Sequence, residues 1–363
     1  MSVTSAGAAF VWPAIRGDVL SREALAWVRR GVSGVVLELD QCRDASAIAH
    51  LVAELKRRAE RPLLVAVSHE GGDHAALRHP FVELPAMGAV GLSGELKLAT
   101  AIGTVIGREL RALGVDLNFA PVLDVDTRED NPLIAGRSFG ISPHVCGAFG
   151  AGWVEAMQAQ GVAACGKHYP GLGEVDQDPR RVPVTIDLDP DRMHKVELPP
   201  FFTAIDRGMA SVLVGHAVYP RVDEHPASRS AVILDGWLRG KMHFAGPAIA
   251  DDLSQPASRD DPAAAAVECV AAGIDAVRLT AATPDPGSTA DAVERTLDAL
   301  DGAIASRDLD PARVQHARRR IAALTDAYVR PLPDPPNLSV IASDEHRVIM
   351  EQVWRLAETQ DTP

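Results

Sequence analysis

The chain is poor in what would staple it, anchor it or dedicate it to nucleic acid. Of its 363 residues only four are cysteine, Cys42, Cys146, Cys165 and Cys269, and no two form a Cys-x-x-Cys pair. That spacing argues against a disulfide scaffold and a zinc ribbon, and it fits a reducing compartment. Cys165 and Cys269 stand in apolar runs and read as small buried hydrophobes. No run approaches the roughly 18 apolar residues of a membrane span. Residues 1–10 carry no basic residue ahead of their apolar stretch, so no signal peptide is expected either. Basic side chains are outnumbered, 36 against 49 acidic, for a net charge of −13. A surface of that sign repels phosphates, so neither nucleic acid nor an anionic membrane is expected as a partner. There is no internal repeat, and no Gly-x-Gly-x-x-Gly follows the first strand pattern.

What is present is an alternation. Short apolar runs at residues 8–11, 34–37, 63–67, 116–120, 162–165, 211–215, 248–250 and 275–279 predict strands. Longer amphipathic patterns at 22–30, 45–59, 95–113, 143–160, 191–207, 231–241 and 262–272 predict helices. Gly31, Gly114, Gly161, Gly208 and Gly273 stand where such helices should stop. A repeated phrase of helix, glycine and apolar strand is half of a βαβ unit. Eight such strands predict an α/β fold, a (β/α)8 TIM-type barrel. An open doubly wound sheet is the second reading, and it lacks its glycine signature.

Beyond Thr280 the strands stop. Residues 281–287 read as a loop, and 290–303 and 311–328 as helices. The run Arg318-Arg319-Arg320 reads as a solvated helix face. Residues 331–336 form a proline-rich connector, and 343–358 a last helix expected to pack back on the body. The expected organisation is a barrel over residues 1–330 followed by a connector and helix over 331–363.

In such a barrel, chemistry sits where strands end. The third strand ends in Ser68-His69-Glu70-Gly71-Gly72, a tight turn carrying an acid. The fourth runs into Asp124, which reads either as a ligand-facing acid or as an acceptor of loop N–H bonds. Arg137 follows a glycine, and a guanidinium there suits vicinal or planar acceptors. The fifth strand gives Lys167 and His168, the sixth His216, the seventh Asp251-Asp252. A buried cation needs a partner or a ligand. Of two adjacent carboxylates, one can enter the barrel mouth while the other enters the loop. Such a carboxylate could serve as nucleophile, general base or metal ligand, the last together with His168 and His216.

Taken in order, six motifs resemble the family-3 glycoside hydrolases, and within them the single-domain bacterial β-N-acetylglucosaminidases of cell-wall recycling. They are LLVAVSHEGG, LNFAPVLDV, GRSF, GKHYPGLG, HAVYPRVDEHPAS and ADDLS, and they lie between Val36 and Leu279. The resemblance implies a (β/α)8 barrel and a retaining exo-glycosidase, a β-N-acetylhexosaminidase of the bacterial cytoplasm acting on a carbohydrate in peptidoglycan recycling. It implies no metal and no cofactor. Asp251 falls on the family nucleophile. Arg137, Lys167, His168 and His216 fall on residues that hold the sugar, with Ser68, Glu70 and Asp124 beside them.

The chain also departs from the family. Where the family loop carries an Asp-Ser-His triplet whose histidine moves the proton, this chain has Glu174-Val175-Asp176-Gln177-Asp178-Pro179-Arg180. Asp178 falls near the family aspartate and Arg180 on the histidine, and arginine does not release a proton near neutral pH. Glu174, Asp176 and Asp178 are the candidate replacements or supports, with His69 next. A family aspartate has become Ser68, a histidine Leu172 and a methionine Gln255. The alternative function is a degenerate homologue that binds sugar without efficient turnover.

Overall fold

A computed structural model describes residues 5–39, 42, 44–255, 258, 261–280, 286–332 and 336–358. Its strands are β1 (Val11–Arg16), β2 (Gly34–Glu38), β3 (Leu64–Val67), β4 (Leu117–Asn118), β5 (Ala163–Tyr169) and β6 (Ser211–Val214). A short hairpin, β7 (Val218–Tyr219) and β8 (Asp223–Pro226), precedes β9 (Ala248–Asp252) and β10 (Ala276–Leu279). Eight of them close a barrel in the order β1-β10-β9-β6-β5-β4-β3-β2, every neighbouring pair parallel. The strands read as unbroken apolar runs because side chains fill the barrel on one face and helices cover the other. All four residues of β3 are fully buried.

The helices begin and end for local reasons. Ser21 caps Arg22–Arg30 by accepting from the Ala24 N–H, and Gly31 ends it with φ 94°, a left-handed conformation that costs glycine little. Asp44 accepts from the Ser46 and Ala47 N–H groups to start Ala45–Arg58.

Several expectations are corrected. The first strand is β1, not residues 8–11. Gly7–Phe10 form a 3-10 turn anchored by the Gly7 N–H donating to Asp301 Oδ1 at 2.7 Å. Proline lacks the N–H a ladder needs. The fold puts Pro13 where β1 changes neighbours, residues 11–13 pairing with β10 and 14–16 with β2. The helix expected over 191–207 is two helices, Pro190–Lys195 and Pro199–Asp206, because Pro199 and Pro200 cannot continue the first. Val232–Lys241 is a wide π-type helix. Of the loop expected at 281–287, residues 281–285 lie outside the described residues, and Pro286–Ser306 is helical. Of the arginine run, Arg318 and Arg319 are exposed as expected, and Arg320 is not. Arg320 pairs with the buried Asp275 at 3.1 Å, and Arg318 donates to the Ala6 carbonyl and lies over Phe10.

Within the connector, residues 333–335 lie outside the described residues. The last helix, Asp344–Glu358, packs on Met87–Leu92 and Leu96–Ala112. His346 Nδ1 meets the buried Glu109 at 3.0 Å, and the Trp354 indole N–H donates to the Glu83 carbonyl at 3.1 Å. No described helix is long and apolar enough to cross a membrane.

Candidate active site

Both β5 and β9 run further than their apolar residues do. Lys167 and His168 lie inside β5, and Asp251 and Asp252 inside β9, because backbone pairing does not depend on side-chain polarity. In β5 the pairing with β6 slips between Gly166 and Tyr169. A slip of this kind breaks the alternation of faces, and Lys167 and His168, though adjacent, both line one cavity. That cavity, about 170 Å³, opens at the C-terminal strand ends and holds Ser68, Glu70, Arg137, Lys167, His168, His216, Asp251 and Arg278. It falls below the roughly 300 Å³ of an ordinary ligand pocket, which suits one small unit.

Glu70 is the hub of the first half of the site. Its carboxylate accepts two bonds from Arg137, Nε to Oε2 and Nη2 to Oε1, both 2.8 Å, and a second cation, Lys167, bonds Oε1. Lys167 also donates to Ser68 Oγ at 3.0 Å. Burial alone would raise the Glu70 pKa, but Lys167 and Arg137 hold it well below the usual carboxylate range. Burial lowers the Lys167 pKa, with Glu70 opposing. Two cations share one carboxylate and both face the cavity.

Asp124 is fully buried and is not among the residues that line the cavity. It accepts from the Leu172 N–H at 2.7 Å and the His168 N–H at 3.1 Å, and pairs with His168 Nδ1 at 2.8 Å. Of its two readings the structural acceptor holds, and the substrate contact expected of Asp124 is corrected. The acid orients His168 and anchors the loop that follows.

Asp251 and Asp252 part company. Asp252 accepts from the Ser254 N–H and hydroxyl and from the Thr280 N–H and hydroxyl, tying two loops together. Asp251 faces the cavity. Its Oδ1 accepts from Arg278 Nη1 at 3.0 Å and from the Asp252 N–H at 2.8 Å. Among the described residues no hydrogen bond reaches Oδ2. Burial pushes the Asp251 pKa up, but Arg278, His168 and His216 outweigh it, and the group stays ionised below its ordinary range. Arg278 also stacks on Phe119, 4.4 Å from the ring centre. His216 bonds Ser228 Oγ through Nδ1 at 2.8 Å, and its buried Nε2 has no partner among the described residues.

The loop after β5 holds the largest correction. None of its three carboxylates lines the cavity. Glu174 turns outward to Thr127 Oγ1 and Arg192. Asp176 is exposed. Asp178 is taken by Arg180, which donates to it through its backbone N–H, Nε and Nη2 at 2.7 to 3.1 Å. Pro179 and Arg180 line the cavity instead. His69 is buried, its Nδ1 accepts from the Leu77 N–H at 3.3 Å, and burial lowers its pKa to about 4. It too is absent from the lining.

No metal set forms. His168 and His216 are engaged through Nδ1 and Asp251 through Oδ1, and among the described residues no three histidine, cysteine, aspartate or glutamate side chains group as ligands. Sequence reasoning missed Arg278 and His74, both in the lining. A lone charge inside the apolar run Ala276–Leu279 was the available sign of the first. Nothing periodic marks the second.

A parallel barrel with a carboxylate and paired cations at its C-terminal mouth has the architecture of a barrel enzyme's active site. The chain matches the profile "Glycosyl hydrolase family 3 N terminal domain" over residues 16–324. A beta-hexosaminidase of Xylella fastidiosa is 35% identical over 270 residues, 72% of this chain and 79% of that one. Two solved structures are also similar. A family-3 β-N-acetylglucosaminidase from a Paenibacillus species superposes with a TM-score of 0.90 at 28% identity, covering 98% of this chain and 69% of that one. NagZ from Neisseria gonorrhoeae, in complex with N-trifluoroacetyl-D-glucosamine, gives 0.79 at 27% identity, covering 96% and 97%. The chain belongs to the family-3 glycoside hydrolases. It is a glycoside hydrolase.

Proposed function

We propose that the chain is a retaining exo-β-N-acetylhexosaminidase that forms a covalent glycosyl-enzyme on Asp251. One observation carries the reading. Arg278 and the Asp252 N–H engage Oδ1 and leave Oδ2 unbonded among the described residues, at the edge of a cavity lined by cations. A nucleophile that is ionised, oriented and unspent on one oxygen is what the first displacement needs. Oδ2 attacks the anomeric carbon, the bond to the leaving oxygen breaks, and water later breaks the ester. Arg137, Lys167, His168 and His216 hold sugar hydroxyls, with Glu70 and Ser68 fixing the first two. Beta-hexosaminidase as the printed activity of the Xylella relative supports this sugar class.

The finer assignments go with it: a wall-derived carbohydrate in peptidoglycan recycling, the bacterial cytoplasm as its place, and a barrel unit over 1–330 with 331–363 as its packing segment. The sugar-binding alternative without turnover gains nothing from a site that keeps its nucleophile oriented. The test is a fluoro-glycoside trap of N-acetylglucosamine followed by denaturing mass spectrometry. The expected result is one added glycosyl mass on the peptide bearing Asp251, absent in Asp251→Ala. A label on any other carboxylate sinks the assignment.

A further inference from the structure

A retaining glycosidase needs a second group, across the scissile bond from the nucleophile, that gives a proton to the leaving oxygen and then takes one from water. The three carboxylates of the loop after β5 do not line the cavity, and Arg180 does not release a proton. Six groups able to move one remain in the lining, Glu70, Asp251, Lys167, His74, His168 and His216, and Lys167 is held by Glu70 and Ser68. Glu70 has both oxygens bound by Arg137 and one also by Lys167. Asp251 is the nucleophile. His168 and His216 both act directly on the Asp251 charge, and each is fixed through Nδ1, to Asp124 and to Ser228. His74 differs on every count. It is half-buried, and its ring makes no hydrogen bond among the described residues. The largest charges acting on it belong to Arg137, Glu70, Arg180 and Lys167.

We propose that His74 is the acid/base of this enzyme, a role brought in from the loop after β3 in place of the loop after β5. The inference rests on the assignment of Asp251 as nucleophile. The backbone holds His74 where the role requires. Gly71, with φ 123°, and Gly72, with φ 51°, turn the chain sharply, and residues with a Cβ are strained in such conformations. The Glu70 N–H then donates to the His74 carbonyl, and the His74 N–H to the Gly71 carbonyl at 3.1 Å. The His74 backbone is therefore tied to the residue that positions Arg137 and Lys167, while the ring nitrogens stay unspent among the described residues.

The steps balance. As Asp251 Oδ2 bonds to the anomeric carbon, the glycosidic C–O bond breaks, and the leaving oxygen takes the imidazolium proton. In the second step neutral His74 takes a proton from water, the water oxygen bonds to the same carbon, and the ester to Asp251 breaks to return the carboxylate. Burial first, then Arg137, with Arg180 and Lys167 in the same direction and Glu70 against them, lowers the His74 pKa from its ordinary 6.5. The acid form is the one needed in the first step, so activity falls as pH rises through that lowered value.

The test compares wild type with His74→Ala and His74→Gln on β-N-acetylglucosaminides of 2,4-dinitrophenol and of 4-methylumbelliferone. An acid/base variant should lose about 10²–10⁴-fold in kcat/KM on the poor leaving group yet stay within about tenfold on the activated one. Azide should restore turnover and yield the glycosyl azide. The alkaline limb of kcat/KM on the poor leaving group, below about 6.5 in the wild type, should vanish in His74→Gln. A merely structural role would lower both substrates together and leave azide without effect, and that result overturns the inference. So does full activity in both variants. If the wild type turns over the dinitrophenyl glycoside and labels Asp251 while both variants match it, only the His74 assignment falls. If the wild type itself is inert and unlabelled, the hexosaminidase reading falls with it.

Discussion

Two buried clusters at opposite ends of the barrel have the same composition and opposite uses. At the C-terminal mouth Glu70 sits between Arg137 and Lys167. At the N-terminal face Asp275, fully buried, sits among Arg239 at 2.7 Å, Arg313 at 2.9 Å and Arg320 at 3.1 Å. Each is one carboxylate with cations in excess, so burial and pairing alone do not distinguish them. Their spare donors do. Arg239 donates onward to the carbonyls of Phe244 and Gly246, and Arg313 to those of Val270 and Ile274. Those donors are spent on loops that begin strands. At the mouth Arg137 likewise donates onward to the Leu133 carbonyl, but beside it Arg278 Nε and His216 Nε2 are buried without partners among the described residues, and both residues line the cavity. A cluster that closes its own hydrogen bonds holds a fold together. One that leaves donors facing a cavity awaits a ligand.

The contrast can be broken most sharply at Asp275. Asp275→Asn leaves three arginines without their buried anion, and losing one partner of a buried pair costs about 3–5 kcal/mol. Denaturant unfolding should register that loss, while kcat/KM on the aryl glycoside, measured where the variant is folded, stays near wild type. A large loss of activity with unchanged stability would reverse the roles given to the two ends. Arg278→Leu is the complement. It removes one of the two donors to Asp251 Oδ1, and a misplaced nucleophile can cost about 10²-fold. The fluoro-glycoside should label this variant correspondingly slowly, measured where the variant is folded. The smallest effect is expected in the loop after β5. Glu174→Gln and Asp178→Asn remove ion pairs of partly exposed groups worth about 0–1 kcal/mol, and kcat/KM should stay within a few-fold. A drop like that expected for His74→Ala would return the proton shuttle to this loop.

Much of the fold could be read without coordinates because its signal is local. Apolar runs of four or five residues, and glycines where helices stop, repeat often enough to specify a barrel. The first strand escaped because Pro13 reads as a breaker, and only the exchange of neighbours along β1 gives it a place. The site was legible where a motif coincides with a strand end, at Lys167, His168, His216 and Asp251. It was illegible on loops. Glu174, Asp176 and Asp178 share a loop and a chemistry, yet side-chain direction there depends on which cation each acid meets in the folded loop. Arg192 takes the first outward, and Arg180 folds back on the third.

By itself, then, the chain determined its barrel, its family and the strand ends at which Lys167, His168, His216 and Asp251 stand. These follow from short-range pattern and from motifs that survive in order. Tertiary structure alone decided that Arg278 grips Asp251 across neighbouring strands, that Asp124 supports rather than contacts, and that His74 enters the cavity while three carboxylates leave it. Those outcomes depend on which distant groups satisfy a buried charge first, and pairing of that kind is settled only when the barrel closes.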